Sequence, residues 1–96
     1  MLRLEQLGLR IQLAELTLLD IQKYLETNNP VVAFVNTADF PYWGTDTDHA
    51  VVVIGLDNEN VQLNDPFHAA TTQVVSRNSF QLAQLRFNQL CAVIEK

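Results

Sequence analysis

A histidine and an aspartate sixteen positions apart, His49 and Asp65, are the residues of this chain best suited to chemistry. His49 opens the apolar run His49-Ala-Val-Val-Val-Ile-Gly, and Asp65 closes the run Val61-Gln-Leu-Asn before Pro66. An imidazole at the mouth of one strand and a carboxylate on the next can form an oriented base. The carboxylate takes the Nδ1 proton, fixes the tautomer and leaves Nε2 free to accept a proton. That is half of a nucleophilic site, the other half being the nucleophile itself.

Whether the two meet depends on the turn between them. Directly opposed residues of a hairpin share a face, so His49 and Asp65 do so only if the loop has an odd number of residues. A two-residue turn at Asn58-Glu59 sets Asp65 opposite Val52, on the wrong side, and asks for positive φ where no glycine stands. A three-residue loop, Asp57 to Glu59, sets Asp65 opposite Val51 and diagonal to His49. Diagonal Cα atoms lie about 7–8 Å apart, within reach of these side chains. That register also unites Val51 and Val53 with Val61 and Leu63, while Gln62 and Asn64 go to the other side.

The remaining elements follow from periodicity and punctuation. Leu2, Leu4 and Leu7 ending at Gly8 read as the last turns of a helix closed by glycine. From Leu9 the pattern alternates, with Leu9, Ile11 and Leu13 on one face of a half-buried strand and Arg10 and Gln12 on the other. Thr17 and Asp20 form a capping box for a helix that presents Leu18, Ile21 and Leu25 inward and stops at Asn28-Asn29-Pro30. Val31 to Val35 is a buried strand, Asn36 to Asp48 a long surface loop, and His49 to Leu56, apolar on both faces, a central strand. Strands follow at Val61–Asp65 and Thr72–Val75, then a helix capped by Ser76 from Arg77 to Arg86 with Phe80 and Ala83 inward, then a closing strand Leu90–Ile94. These 96 residues form one α+β domain, an antiparallel sheet with two or three helices packed on it.

Other chemistry-bearing residues receive plainer readings. Asp46, Asp48 and His49 follow no metal-loop spacing and read as a solvated acidic loop; no metal or cofactor is expected. His68 reads as a surface-loop histidine with a supporting role beside the site as its alternative, and Ser79 as a helix-start residue. Phe40, Tyr42 and Trp43 either line a cleft beside His49 or pack down as a lid. Cys91, flanked by Leu90, Ala92 and Val93, lacks the cationic neighbour or helix start a reactive thiolate wants, and reads as buried and structural.

The segments DHAVVVIGLD and VQLNDP resemble the histidine and aspartate strands of papain-like cysteine peptidases. They are most similar to the bacteriocin-processing peptidases that cut after double-glycine leaders. TLLDIQKYLETNNPVVAFVN and VVSRNSFQLAQL resemble that family's helix-to-strand passage and its final helix, so that the likeness spans roughly residues 7 to 94. The resemblance implies half of a papain-like fold, with His49 as general base and Asp65 as its orienting partner. In that family a nucleophilic cysteine opens an upstream helix, with a glutamine shortly before it. Here Gln6 is followed by no such cysteine, and Cys91 lies in the last strand.

The expectation is therefore a truncated or degenerate relative, a base without a nucleophile, that binds peptide without cutting it. Two alternatives stand beside it: a piece of an active peptidase whose thiol comes from an upstream segment or another chain, and a self-associating assembly protein. A missing core helix would expose an apolar sheet face, so a homo-oligomer or a covering partner chain is expected. The net charge of -5, with no run of lysine or arginine, argues against nucleic acid, and no apolar stretch is long enough to span a bilayer. One cysteine and no secretory signal point to a reducing, cytoplasmic setting.

Overall fold

The computed structural model describes residues 10–95, so the helix end read at Leu2 to Gly8, and Leu9 itself, lie outside the described residues. Six strands form one antiparallel sheet: β1 (Arg10–Glu15), β2 (Val31–Asn36), β3 (Asp48–Leu56), β4 (Asn60–Asn64), β5 (Gln73–Ser76) and β6 (Leu90–Glu95). Their spatial order is β1-β6-β2-β3-β4-β5, which puts β2 and β3 at the centre. Two helices, α1 (Leu18–Glu26) and α2 (Arg77–Leu85), complete an α+β fold.

Both helices start where the side chains can satisfy their first amides. In α1 the Thr17 hydroxyl accepts from the Asp20 amide at 3.2 Å, and the Asp20 carboxylate accepts from the Thr17 amide at 3.1 Å. The chain leaves α1 through Asn28 at a φ of 60°, a left-handed conformation that asparagine tolerates, and Pro30 leads into β2. In α2 the Ser76 hydroxyl accepts from the Ser79 amide at 3.0 Å, which gives Ser79 its helix-start place. Asn36 likewise caps a short 3-10 helix, Thr37–Asp39, that occupies the first part of the long loop.

The buried apolar residues of the sheet belong to one face. Val31, Ala33, Val35, Val51, Val53, Val61, Leu63, Val75, Cys91 and Val93 join Leu18 and Ile21 of α1 and Phe80 and Ala83 of α2 in a single core. The opposite face stays open. Ile11 and Leu13 are 46% and 63% exposed, so the apolar side of β1 faces away from the core rather than into it. Ile54 and Val74 are exposed on the same side, and β3, central in the sheet, is buried on one face only.

The β3–β4 hairpin departs from the expected turn yet reaches the expected register. Three residues, Asp57–Glu59, separate the strands, but Leu56 pairs with Val61 and Gly55 with Gln62, the register of an even-numbered turn. No residue there has positive φ; instead the Asp57 carboxylate accepts the amides of Glu59 and Asn60, both at 2.8 Å. Beyond Gly55 the pairing shifts by one, to Val53 with Leu63 and Val52 with Asn64. Ile54 is the extra residue of a bulge. The bulge lets Val53 and Leu56, three apart, both turn toward the core while Ile54 points out. It also restores the parity that continues to Asp65 across from Val51.

Candidate active site

His49 stands near the start of β3, across from Val35 of β2, on the core face of the sheet. Asp65 follows β4 directly and is 1% exposed. The hairpin register brings them together: His49 Nε2 lies 2.7 Å from Asp65 Oδ1. The ring orientation is the reverse of the expected one. Nε2, not Nδ1, meets the carboxylate, and Nδ1 has no hydrogen-bond partner among the described residues. The reason is position, because the carboxylate is reached from the far end of the imidazole rather than beside its Cβ attachment.

Asp65 is held by four donors. Oδ1 accepts from His49 Nε2 and from the Phe67 amide at 2.9 Å; Oδ2 accepts from the Tyr42 hydroxyl and from Trp43 Nε1, both at 2.9 Å. Burial pushes its pKa up, but the hydrogen bonds from His49, Trp43, the Phe67 amide and Tyr42 prevail and hold it below the ordinary carboxylate value. An ionised carboxylate only accepts, so the imidazole nitrogen facing it carries a proton and Nδ1 of a neutral ring carries the lone pair. Tyr42 is pushed well above the usual phenol range by burial and by its bond to Asp65, and so remains a donor.

The loop that delivers these two donors is built around a turn. The Trp43 amide donates to the Phe40 carbonyl at 3.1 Å, with Pro41 in the second position that proline favours. Phe40 is buried and stacks on Tyr42 with ring centres 5.6 Å apart, which anchors the turn to the core. Thr37 secures the far end: its hydroxyl donates to the Thr45 carbonyl at 2.7 Å and accepts from the Thr47 amide at 2.9 Å. The aromatics therefore form the wall of the site. Trp43 and Phe67 pack against His49 at 5.1 and 5.2 Å between ring centres and against each other at 5.8 Å, and the imidazole side chain is 9% exposed.

The other candidates fall outside this centre. His68 is half-buried, edge-on to Tyr42 and Trp43 at 5.1 and 5.2 Å, and so supports the aromatic wall rather than standing free on the surface. Asp46 and Asp48 gather on Asn36 Nδ2 at 2.6 and 3.1 Å, near the Arg86 guanidinium at 3.9 and 3.8 Å. No group of three or more potential metal ligands occurs among the described residues. Cys91 is fully buried in β6, and burial pushes its thiol up to about 11. Sequence reasoning missed the bonds from Tyr42 and Trp43 to Asp65, and it missed Phe67 altogether. The available signal was two adjacent aromatics with polar donors in a loop that ends at the candidate histidine.

The model of the Peptidase_C39 like family matches residues 8–93, which contain the whole constellation. This chain belongs to that family. It also shares its fold with a solved structure from Bacillus anthracis described as a candidate C39-like peptidase, with a TM-score of 0.75 and 23% identity. The match covers 96% of this chain and 54% of that one, so the chain spans about half the length of that solved protein. No curated protein matches the sequence. Within this C39-like domain no helix of the described residues is long and apolar enough to cross a membrane.

Proposed function

We propose that this domain carries the histidine–carboxylate half of a thiol-peptidase site and, as these 96 residues stand, binds peptide without cleaving it. The observation that carries the reading is the 2.7 Å contact of His49 Nε2 with an Asp65 saturated by hydrogen bonds, which leaves Nδ1 unpartnered among the described residues. In this reading Nδ1 of His49 takes a proton from a thiol and later hands it to the leaving amine, while Asp65 holds the ring. Cys91 does not supply that thiol. Its burial and raised pKa leave almost no thiolate at neutral pH, and nucleophilic attack by cysteine requires the thiolate. Cleavage then depends on a thiol from another segment or chain. A lone buried thiol also suits a reducing, cytoplasmic compartment.

Titration with a double-glycine peptide tests the proposal. Trp43, 5.1 Å from His49, should change its fluorescence on binding, with no product released. A flat signal at millimolar peptide rejects the binding reading, and product formation by this chain alone rejects the need for an outside thiol.

The open sheet face favours a second reading, in which a partner or a second copy covers it. Ile11, Leu13, Ile54 and Val74 leave apolar surface on the side opposite both helices. Sedimentation as a clean monomer at micromolar concentration would count against that reading.

A further inference from the structure

Asp65 accepts at both oxygens, and the two oxygens are served by different parts of the chain. Oδ1 faces His49 and the Phe67 amide, whereas Oδ2 faces only the loop donors Tyr42 and Trp43. A carboxylate offers about four lone-pair sites, so every one is occupied. Consecutive residues of an extended chain point to opposite sides. Tyr42 and Trp43 reach one oxygen because the Phe40–Trp43 turn folds the backbone between them, with Phe40 buried beneath. Neither donor is charged. The titratable side chains in contact around the carboxylate are His49, Tyr42 and, beyond Tyr42, His68, and among the described residues Asp65 has no lysine or arginine partner to fix it. Without Tyr42 and Trp43 the Phe67 amide alone would hold the carboxylate that the imidazole faces, and its plane would be less fixed about the Cβ–Cγ bond.

We propose that Tyr42 and Trp43 are positioning residues: together on Asp65 Oδ2, they set the carboxylate plane so that Oδ1 meets His49 Nε2 and Nδ1 is presented as the basic nitrogen. The inference rests on the reading of His49 as a base and adds the loop on which that base depends. Two neutral donors suit this task better than a cation. They satisfy the buried carboxylate without cancelling the charge that stabilises an imidazolium when it forms. The clamp also makes the base conditional. If the turn at Pro41 is displaced, both donors leave at once, because they sit on adjacent residues.

The test uses the full chain with isotope-labelled aspartate and histidine, and the variants Tyr42→Phe and Trp43→Phe, singly and combined. Each substitution removes a donor and keeps an aromatic ring. The readouts are the titration midpoint of the Asp65 carboxyl and the solvent exchange of the His49 Nε2 proton. Each single variant should raise the midpoint by about one pH unit, the effect of one lost bond to a charged acceptor. The pair should raise it further and speed exchange by roughly tenfold or more. Tyr24→Phe, on α1 away from Asp65, should change neither quantity. A role in packing alone would lower the unfolding midpoint but leave the Asp65 titration of the folded protein in place. The single variants keep the test decisive if the double variant does not fold. A wild-type imidazole protonated at Nδ1 removes both the base reading and this one. An imidazole protonated at Nε2 but indifferent to every variant removes this one alone.

Discussion

Two buried polar side chains, Asp65 and Gln84, are treated in opposite ways. Asp65, after β4, has four hydrogen-bond donors for its two oxygens. Gln84, on α2, is fully buried, yet among the described residues its only side-chain hydrogen bond runs from Nε2 to the Cys91 sulfur at 3.5 Å, and Oε1 has no hydrogen-bond partner. Both positions are equally dry, so burial by itself does not distinguish a working group from a tolerated one. The number of groups arranged around it does. Desolvation penalises any buried polar atom, and only at Asp65 has the chain assembled a loop, a turn amide and an aromatic wall in answer.

Substitutions at the two places should therefore move stability in opposite directions. The largest effect is expected from Asp65→Ala, which strands Tyr42, Trp43, the Phe67 amide and His49 without their acceptor. It should cost about 3 kcal/mol or more in urea unfolding at neutral pH. The same comparison made against pH gives the sign of the ionised carboxylate. Because the folded pKa lies below its ordinary value, Asp65 stabilises the fold above the usual carboxylate range. That contribution disappears as pH falls through the lowered folded value. The gap between wild type and Asp65→Ala should shrink on acidification; a gap that widened would contradict the hydrogen-bond account.

Next in size is the contrast between the base and the thiol. With its pKa pushed up to about 11 and no surface exposed, Cys91 should react with iodoacetamide at pH 7 at least ~100-fold more slowly than the same chain in urea. Equal rates in the two conditions would make Cys91 an accessible nucleophile and reopen its candidacy. The smallest change is expected at Gln84. Replacement by Met keeps the volume and removes the orphaned oxygen, and should raise unfolding stability by about 1 kcal/mol. A clear loss of stability instead would mean that Gln84 has a partner in solution and that the two buried sites are alike.

Much of this molecule is readable from short-range pattern. The capping box at Thr17, the N-cap at Ser76, the stop at Pro30 and the inward Phe80 and Ala83 depend on neighbours within a turn or two, and each stands where the sequence indicated. Alternation in β1 was equally legible, but the direction of its apolar face was not. Ile11 and Leu13 point to the open side, because both helices pack on the other face and β1 lies at the sheet edge. The hairpin offers a sharper case. An odd register was required to unite His49 with Asp65, and the chain reaches it by an even-register turn followed by the Ile54 bulge.

The sequence by itself determined the element types, the pairing of an imidazole with a carboxylate, and the poor prospects of Cys91 as a nucleophile. Those follow from residue chemistry and local periodicity, which survive without knowledge of distant neighbours. Only the tertiary structure decided which imidazole nitrogen meets Asp65, where the bulge falls, and that Tyr42 and Trp43 close on the second carboxylate oxygen. Each is the outcome of packing between segments far apart in the chain, and no spacing rule encodes the few tenths of an ångström on which such contacts turn.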